Sequence, residues 1–302
     1  MRYLGKELNA YRANLHTHST SSDGRYTPQQ VADFYQMKGY DVLNFSDHRK
    51  TNDLSKVDGK GMTLISGIEL HPSHPRFGLW HLLAANVPQD FPGEFETAQE
   101  AVDAVNAAGG IIWGAHPYWC GTRWEELLEL KGLAGIEVYN SSTRYIGKEY
   151  NMQIWDELID AGWNCPAIAV DDIHNLQDLF CGWTMILAED KSPESIVNAL
   201  KNGNYYATQG PEFTRIELDG HMLHAEFTEV VSAVVVGRFA SGCPVTVPGS
   251  PFPGEVRPCR ELTVDLRRCR TAGRIQLRDA AGNYAWSNPI PVPPENGSTL
   301  LH

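Results

Sequence analysis

Gly110-Ile111-Ile112-Trp113-Gly114-Ala115 carries no charged residue in six consecutive positions. A strand with one wet face alternates apolar and polar residues. A run this continuous suits a strand covered on both faces, as in a parallel sheet flanked by helices. The texture recurs along the first two-thirds of the chain. Strands are predicted at 11–18, 41–47, 62–69, 80–87, 110–115, 134–139, 165–171 and 182–188. Helix signals fall between them. Thr27-Pro28-Gln29-Gln30 offers an N-cap threonine, a proline at the first helical position and a glutamine at the third, and Gly39 should end that helix. Tyr150, Ile154, Leu158 and Ala161 keep helical spacing within 148–161, up to Gly162. Ser192-Pro193-Glu194 opens a helix that Asn202-Gly203 closes. This alternation predicts an α/β barrel or a doubly wound sheet, and seven or eight units in about 205 residues favour the barrel.

From about Gly210 the pattern changes. Short alternating segments take over: Thr214-Arg215-Ile216-Glu217-Leu218, Ala233-Val234-Val235-Val236, Leu262-Thr263-Val264-Asp265-Leu266 and Arg274-Ile275-Gln276-Leu277. Asp219-Gly220 and Ala281-Gly282-Asn283 mark turns, and prolines crowd 244–258 and 289–294. The expectation is a barrel over 1–210 followed by a small antiparallel β-sandwich over 211–302.

The whole chain has 302 residues, 42 % hydrophobic and 21 % charged, which is a globular composition. Its net charge of −12 disfavours a long nucleic acid as partner. It does not disfavour a small anion, because bound cations would reverse the field inside a pocket. No apolar run is long enough for a membrane span, and the N-terminus shows no secretory h-region. Six cysteines, at 120, 165, 181, 243, 259 and 269, form no C-x-x-C pair. With thiols that need no disulfide framework, the expected location is the cytoplasm. Nothing in the sequence fixes the oligomeric state.

The chemistry lies at the strand ends. His16-Thr17-His18 puts two imidazoles on one side of a strand, and Asp172-Ile173-His174 does the same with a carboxylate and an imidazole. Asp23 follows the first pair. Asp47-His48, Gly67-Ile68-Glu69, Ala115-His116-Pro117 and Ile136-Glu137-Val138 fall at or near other strand ends, whereas His81 opens its strand. In a barrel the C-terminal strand ends share one face, where active sites sit. Burying so many polar groups without partners would be costly, and divalent metals remove that cost.

The ordered set H-x-H, D-H, G-x-E, H-P and D-x-H resembles the PHP (polymerase and histidinol phosphatase) domain. Here it reads His16-Thr17-His18, Asp47-His48, Gly67-Ile68-Glu69, His116-Pro117 and Asp172-Ile173-His174, over about residues 10–210. The resemblance implies a distorted seven-stranded (β/α) barrel. Tyr206-Ala207-Thr208-Gln209-Gly210-Pro211 and the β-tail with Ala285-Trp286-Ser287-Asn288-Pro289-Ile290 look like a branch of small-molecule phosphoesterases, nucleotide phosphatases and carbaryl-type ester hydrolases. It further implies two or three divalent cations. One would use His16, His18, Glu69 and Asp172; another Asp23, His48 and His174; a third Glu69, His81 and His116, with Glu69 bridging. Many members have histidine where this chain has Asp23. The nitrogen and oxygen donors admit Mn²⁺, Fe²⁺ or Zn²⁺.

The expected function is hydrolysis of a small phosphate ester, a mono- or diester, by a water bridging two cations. Asp172 is a candidate to orient or deprotonate that water. Arg123 and Arg144, in loops after strand ends, are candidate phosphate contacts. Asn140 is a candidate donor or turn cap. Asp47 and Glu137 are expected to support ligands from behind. His71 and His74 read as surface loop residues, Trp113, Trp155 and Trp163 as core, and Asp171 as facing away from Asp172. The same metals would serve a carboxylic ester, carbamate or amide hydrolase. A binding protein with purely structural metals is the remaining class.

Overall fold

The computed structural model describes residues 1–246 and 258–294. Parts of the proline-rich stretch and of the tail therefore lie outside the described residues. In chain order the first strands are β1 (Arg2–Tyr3), β2 (Lys6–Glu7), β3 (Asn9–Asn14), β4 (Val42–Phe45), β5 (Thr63–Leu70), a short hairpin of β6 (Ser73–His74) and β7 (Gly78–Leu79), and β8 (Leu82–Ala85). Then follow β9 (Ile111–Gly114), β10 (Gly135–Asn140), β11 (Ala167–Val170), β12 (Trp183–Ala188) and β13 (Tyr205–Thr208). The helices are α1 (Pro28–Met37), α2 (Ala98–Ala107), α3 (Pro117–Cys120), α4 (Trp124–Glu129), α5 (Met152–Asp160) and α6 (Pro193–Lys201).

All eight predicted strands are present, shortened by a residue or more at most ends. The cap at α1 forms as read: Thr27 Oγ1 accepts from Gln30 N, and Gln30 Oε1 accepts from Thr27 N at 3.0 Å. Ser192 caps α6 through its side chain alone, Oγ accepting from Ser195 N.

The main sheet runs β11-β10-β9-β8-β5-β4-β3-β12-β13 before continuing into later strands. It is not wholly parallel. The β3–β4–β5 and β9–β10–β11 groups are parallel, but β8 runs antiparallel to both β5 and β9. The reason is chain length. Leu70 and Leu82 are joined by a segment that folds as a hairpin, too short for a helical crossover.

The sheet curls until β11 lies beside β12. Ala169 N donates to Thr184 Oγ1 at 3.2 Å, and Thr184 Oγ1 donates to Ala169 O at 3.0 Å. One apolar cluster takes side chains from eight strands and from α6: Ala13, Val42, Ile65, Leu83, Trp113, Ile168, Ile186 and Tyr205 among them. Gly67 belongs to this tight interior. A β-carbon there would stand 2.4 Å from Asn44 Oδ1 and 2.5 Å from Ala84 O. The fold is thus mixed α/β, with most strands of the curl packed on one core.

The later strands are β14 (Phe213–Asp219), β15 (Met222–Val230), β16 (Ser232–Gly237), β17 (Gly242–Thr246), β18 (Cys259–Asp265), β19 (Ala272–Arg278), β20 (Tyr284–Ser287) and β21 (Ile290–Pro291). They form two layers. One is a separate sheet, β18-β15-β14-β1-β2, in which the N-terminal β1 pairs in parallel with β14. The other extends the main sheet through β13-β20-β19-β16-β17. A single apolar cluster runs from Val31 and Tyr35 on α1, through Trp183, to Ile216, Leu223, Val235 and Ile275. The β-rich part is therefore welded to the α/β part by a ladder and a shared core.

Arg274 on β19 reinforces the weld. Its guanidinium is buried, stacks on Trp155 at 4.6 Å and donates to both oxygens of Asp156 on α5 at 2.9 and 3.0 Å. Asp156 is partly solvated, so the charge contribution is screened and packing carries much of the effect. Arg274→Ala should lower unfolding free energy by about 2 kcal/mol in urea titrations.

Candidate metal centre

Nine residues singled out from the sequence gather in one place: His16, His18, Asp23, His48, Glu69, His81, His116, Asp172 and His174. Most stand at or just past a strand's C-terminal end. His81 joins them because β8 is antiparallel, so its start lies at the face where its neighbours end. Isolated bridges, Thr17 to Ile173 and His48 to Glu69, prolong the strand lines past their ladders and hold these residues extended. His116 and Asp172 have φ of +25° and +52°, costly for residues with a side chain. Packing on all sides holds both in place.

Glu69 is the centre. Its Oε2 lies 3.4 Å from His16 Nε2, 3.4 Å from His18 Nε2 and 2.8 Å from His48 Nδ1. Its Oε1 lies 2.7 Å from His81 Nδ1 and 3.5 Å from His116 Nε2. Asp172 Oδ1 stands 3.3 Å from His16 Nε2 and 3.0 Å from His18 Nε2. The two imidazole nitrogens are themselves 3.0 Å apart. Farther out, Asp23 is 3.4 Å from both His48 Nε2 and His174 Nε2.

These spacings suit cations. Two donors each about 2.1 Å from one ion, at angles of roughly 90–110°, stand about 3.0–3.4 Å apart. Glu69 Oε2 and Asp172 Oδ1 are moreover buried and accept no well-aligned hydrogen bond, the nearby His48 Nδ1 included. Two such carboxylate oxygens, aimed at two imidazole nitrogens, are a costly arrangement without a positive charge between them. The donor set therefore fits divalent metal ions.

The outer atoms orient the rings. His16 Nδ1 donates to Glu137 Oε1 at 2.6 Å, and His174 Nδ1 donates to the Asp172 carbonyl at 2.9 Å. His18 Nδ1 faces Ser22 Oγ at 3.4 Å, and His116 Nδ1 faces Cys120 Sγ at 3.5 Å. In all four the Nε2 lone pair is left for the cluster. Glu137 also accepts from His116 N and Asn140 Nδ2, and Asn140 Nδ2 reaches Asp172 Oδ2 at 3.1 Å. Asn140 thus ties two carboxylates together. Asp47 supports the loop that carries Asp23, accepting from Ser19 N and Asn52 Nδ2. Asp171 faces away, accepting from Tyr35 Oη and the Phe180, Cys181 and Gly182 amides; burial still pushes its carboxyl up to about 7.

The field is strongly coupled. Burial would raise the Glu69 carboxyl, but the charges of His81 and His16 hold it well below the usual range. Burial would lower His48 and His174, yet hydrogen bonds to Asp23, joined by Glu69 and Asp172, raise them to about 10 and about 9.

Not everything went as read from the sequence. His71 and His74 are buried, not surface residues. His71 Nε2 lies 2.7 Å from His48 Nδ1, and burial lowers its pKa to about 3. His74 stacks on Phe77 instead. Arg123 is exposed at the start of α4 and borders neither cluster nor cavity. The Arg144 guanidinium is tied to Ser141, Cys181 and the Gln177 carbonyl, and it too stays outside the cavity lining. Trp113 and Trp155 are core, as expected. The sequence reading passed over Trp119, Tyr145 and Asp178, which border the cavity. Trp119 lay three positions past His116 and carried the only available signal.

The cluster floors a cavity of about 390 Å³. Its walls come from the residues after β9, β10 and β11: Trp119; Ser142, Thr143 and Tyr145; and Asn175 with Asp178.

No family model and no curated protein matches this chain. Among solved structures it is similar to a two-domain protein from Bacteroides vulgatus described as containing a predicted PHP-like metal-dependent phosphoesterase. That match has a TM-score of 0.55 at 16% identity and covers 94% of this chain and 96% of the other. It is a likeness of fold along nearly the whole of both chains. A lesion-specific endonuclease from Pyrococcus furiosus matches with a TM-score of 0.49 at 19% identity, over 64% of this chain and 56% of its own. An amidohydrolase from Chromobacterium violaceum matches with a TM-score of 0.44 at 17% identity, over 54% and 87%.

Two outcomes follow from the proton positions. Contact with Asp23, Glu69 and Asp172 raises His48 and His174, so a cation that binds there would displace protons from both rings. Mn²⁺ affinity should therefore climb as pH rises toward 9, and titration calorimetry in two buffers of different ionisation enthalpy should show proton release. Glu137→Gln, which weakens the hold on His16, should lower Mn²⁺ affinity by about 10- to 100-fold.

Proposed function

We propose that this chain is a metal-dependent hydrolase of a small phosphate ester, a mono- or diester, on a distorted barrel within 1–210 followed by a small β-sandwich within 211–302 that β1 and β2 join. The observation that carries the reading is the pair of buried, unpartnered oxygens, Glu69 Oε2 and Asp172 Oδ1, facing His16 and His18 Nε2. Two or three cations would be held by His16, His18, Glu69 and Asp172, by Asp23, His48 and His174, and by Glu69, His81 and His116. The nitrogen and oxygen donors suit Mn²⁺, Fe²⁺ or Zn²⁺.

When bound, such ions supply Lewis acidity: they polarise phosphoryl oxygens and make water a better nucleophile at neutral pH. The chain's own groups do the rest. Glu137 fixes His16 in the tautomer that presents Nε2. Asn140 holds Asp172 through Oδ2, which leaves Oδ1 aimed inward to orient the attacking water. The loops after β9, β10 and β11 shelter the reacting bond from bulk solvent.

A second reading has its own support. No lysine or arginine borders the cavity among the described residues. A dianionic phosphate would find only the cations for charge neutralisation, so a carboxylic ester or carbamate is the competing substrate. Among the described residues no helix is long and apolar enough to cross a membrane.

Elemental analysis of the purified protein, paired with an ester panel, decides between them. Phosphate release should need Mn²⁺, Fe²⁺ or Zn²⁺, stop with a chelator and fall at least about 100-fold in Asp172→Asn. Hydrolysis confined to carboxylic or carbamate esters would move the assignment. A chain that takes up none of the three metals would end it.

A further inference from the structure

In the candidate ligand set, His16, His18, His116 and His174 each have Nδ1 faced from behind, which leaves Nε2 for the cluster. His81 turns Nδ1 itself toward Glu69. His48 is the remaining ring. Its Nε2 stands 3.4 Å from Asp23. Two acceptors lie within reach of its Nδ1: Glu69 Oε2 at 2.8 Å and His71 Nε2 at 2.7 Å. A hydrogen bond needs direction as well as distance, and one N–H points one way. Alignment separates the two acceptors. Glu69 Oε2 accepts no well-aligned hydrogen bond, whereas the contact between His48 and His71 is a hydrogen bond.

His71 is held in place from other sides. It follows β5, is 8% exposed and packs edge-on against the His81 ring at 4.3 Å. The next residue, Pro72, accepts from Trp80 N at 2.9 Å, which closes the segment between β5 and β8. An imidazole accepts only at a nitrogen without a proton, and burial favours that neutral ring. His71 does not border the cavity, so it meets no substrate there. Its contact with the centre runs through other residues of the cluster.

We propose that His71 is a positioning residue: its Nε2 accepts the Nδ1 proton of His48, which commits His48 Nε2 to the cation shared with Asp23 and His174 and leaves Glu69 Oε2 to the cation at His16 and His18. The inference rests on the reading that cations occupy this cluster. It adds a residue outside the ordered motif set on which two cation positions depend. Without His71, the acceptor left beside that proton is Glu69 Oε2. His48 would then be drawn onto the oxygen that the inner cation needs.

Long-range proton–nitrogen NMR of the Zn²⁺-loaded, histidine-labelled protein tests it, together with two variants. In the wild type, His48 should show a protonated Nδ1 and a metal-bound Nε2, and His71 an Nε2 that carries neither proton nor metal. His71→Phe keeps a ring and deletes the acceptor; by titration calorimetry it should lower Zn²⁺ affinity about 10- to 100-fold. His71→Gln offers an acceptor oxygen in place of Nε2 and should keep most of the wild-type affinity. Wild-type affinity in His71→Phe would overturn the proposal, as would a His71→Gln that loses as much as His71→Phe. A metal-bound signature at His71 Nε2 would overturn it too, by making His71 a ligand. If His71→Phe does not fold, the wild-type spectrum and His71→Gln still decide. Zn²⁺ uptake with His48 Nδ1 unprotonated removes this role alone. A wild-type chain that takes up no Zn²⁺ removes the metal reading, and this role with it.

Discussion

One buried carboxylate organises this molecule. Glu69 lies at the end of β5, in contact with imidazoles from four other segments. A carboxylate out of water needs positive charge or several donors around it, or it will not stay ionised. That demand shapes its surroundings. It draws His16 and His18 from beyond β3, His48 from beyond β4 and His116 from beyond β9. It also gives the reversed β8 a purpose, since only an antiparallel strand could bring His81 in from its starting end. The unfavourable backbone at His116 and Asp172 is tolerated because the same packing fixes both residues.

A second layer makes the first usable. An imidazole is a ligand only at the nitrogen that lacks a proton, so the opposite nitrogen must be held. Glu137, the Asp172 carbonyl, Ser22 and Cys120 each face one Nδ1, and four different rings present Nε2 as a result. Asn140 joins Glu137 to Asp172, so the orienting layer is tied directly to the candidate ligands. The β-rich part adds stiffness at the edge of the sheet. It continues the main sheet through β13 and β20, and it anchors α5 through Arg274 and Asp156.

How much of this was legible in the sequence depends on the range of the interaction. Strand and helix positions follow from local pattern, and all eight predicted strands appear where apolar runs place them, although the short β1, β2, β6, β7 and β13 were not foreseen. The nine ligand candidates were legible because short spacing, as in His16-Thr17-His18, sets side-chain direction within one strand. Glu137 was legible as a supporting group by its place in a strand. The reversal of β8 was not, because strand direction depends on how a connecting segment folds. His71 was misread for the same reason: its loop turns inward, and nothing in the residues around it says so. Arg123 and Arg144 sit on the right loops, yet each guanidinium is free to turn toward other partners, and a long side chain's direction is decided by its neighbours.

The sequence by itself determined the element order, the change of texture near Gly210 and the set of candidate metal-binding side chains. These are properties of local periodicity and residue chemistry. Tertiary structure alone decided which nitrogen each histidine presents, which oxygens of Glu69 and Asp172 stay unpartnered, and that Trp119 and Tyr145 face one cavity. Those facts depend on distances of a few ångströms between residues far apart in the chain, and only packing sets them.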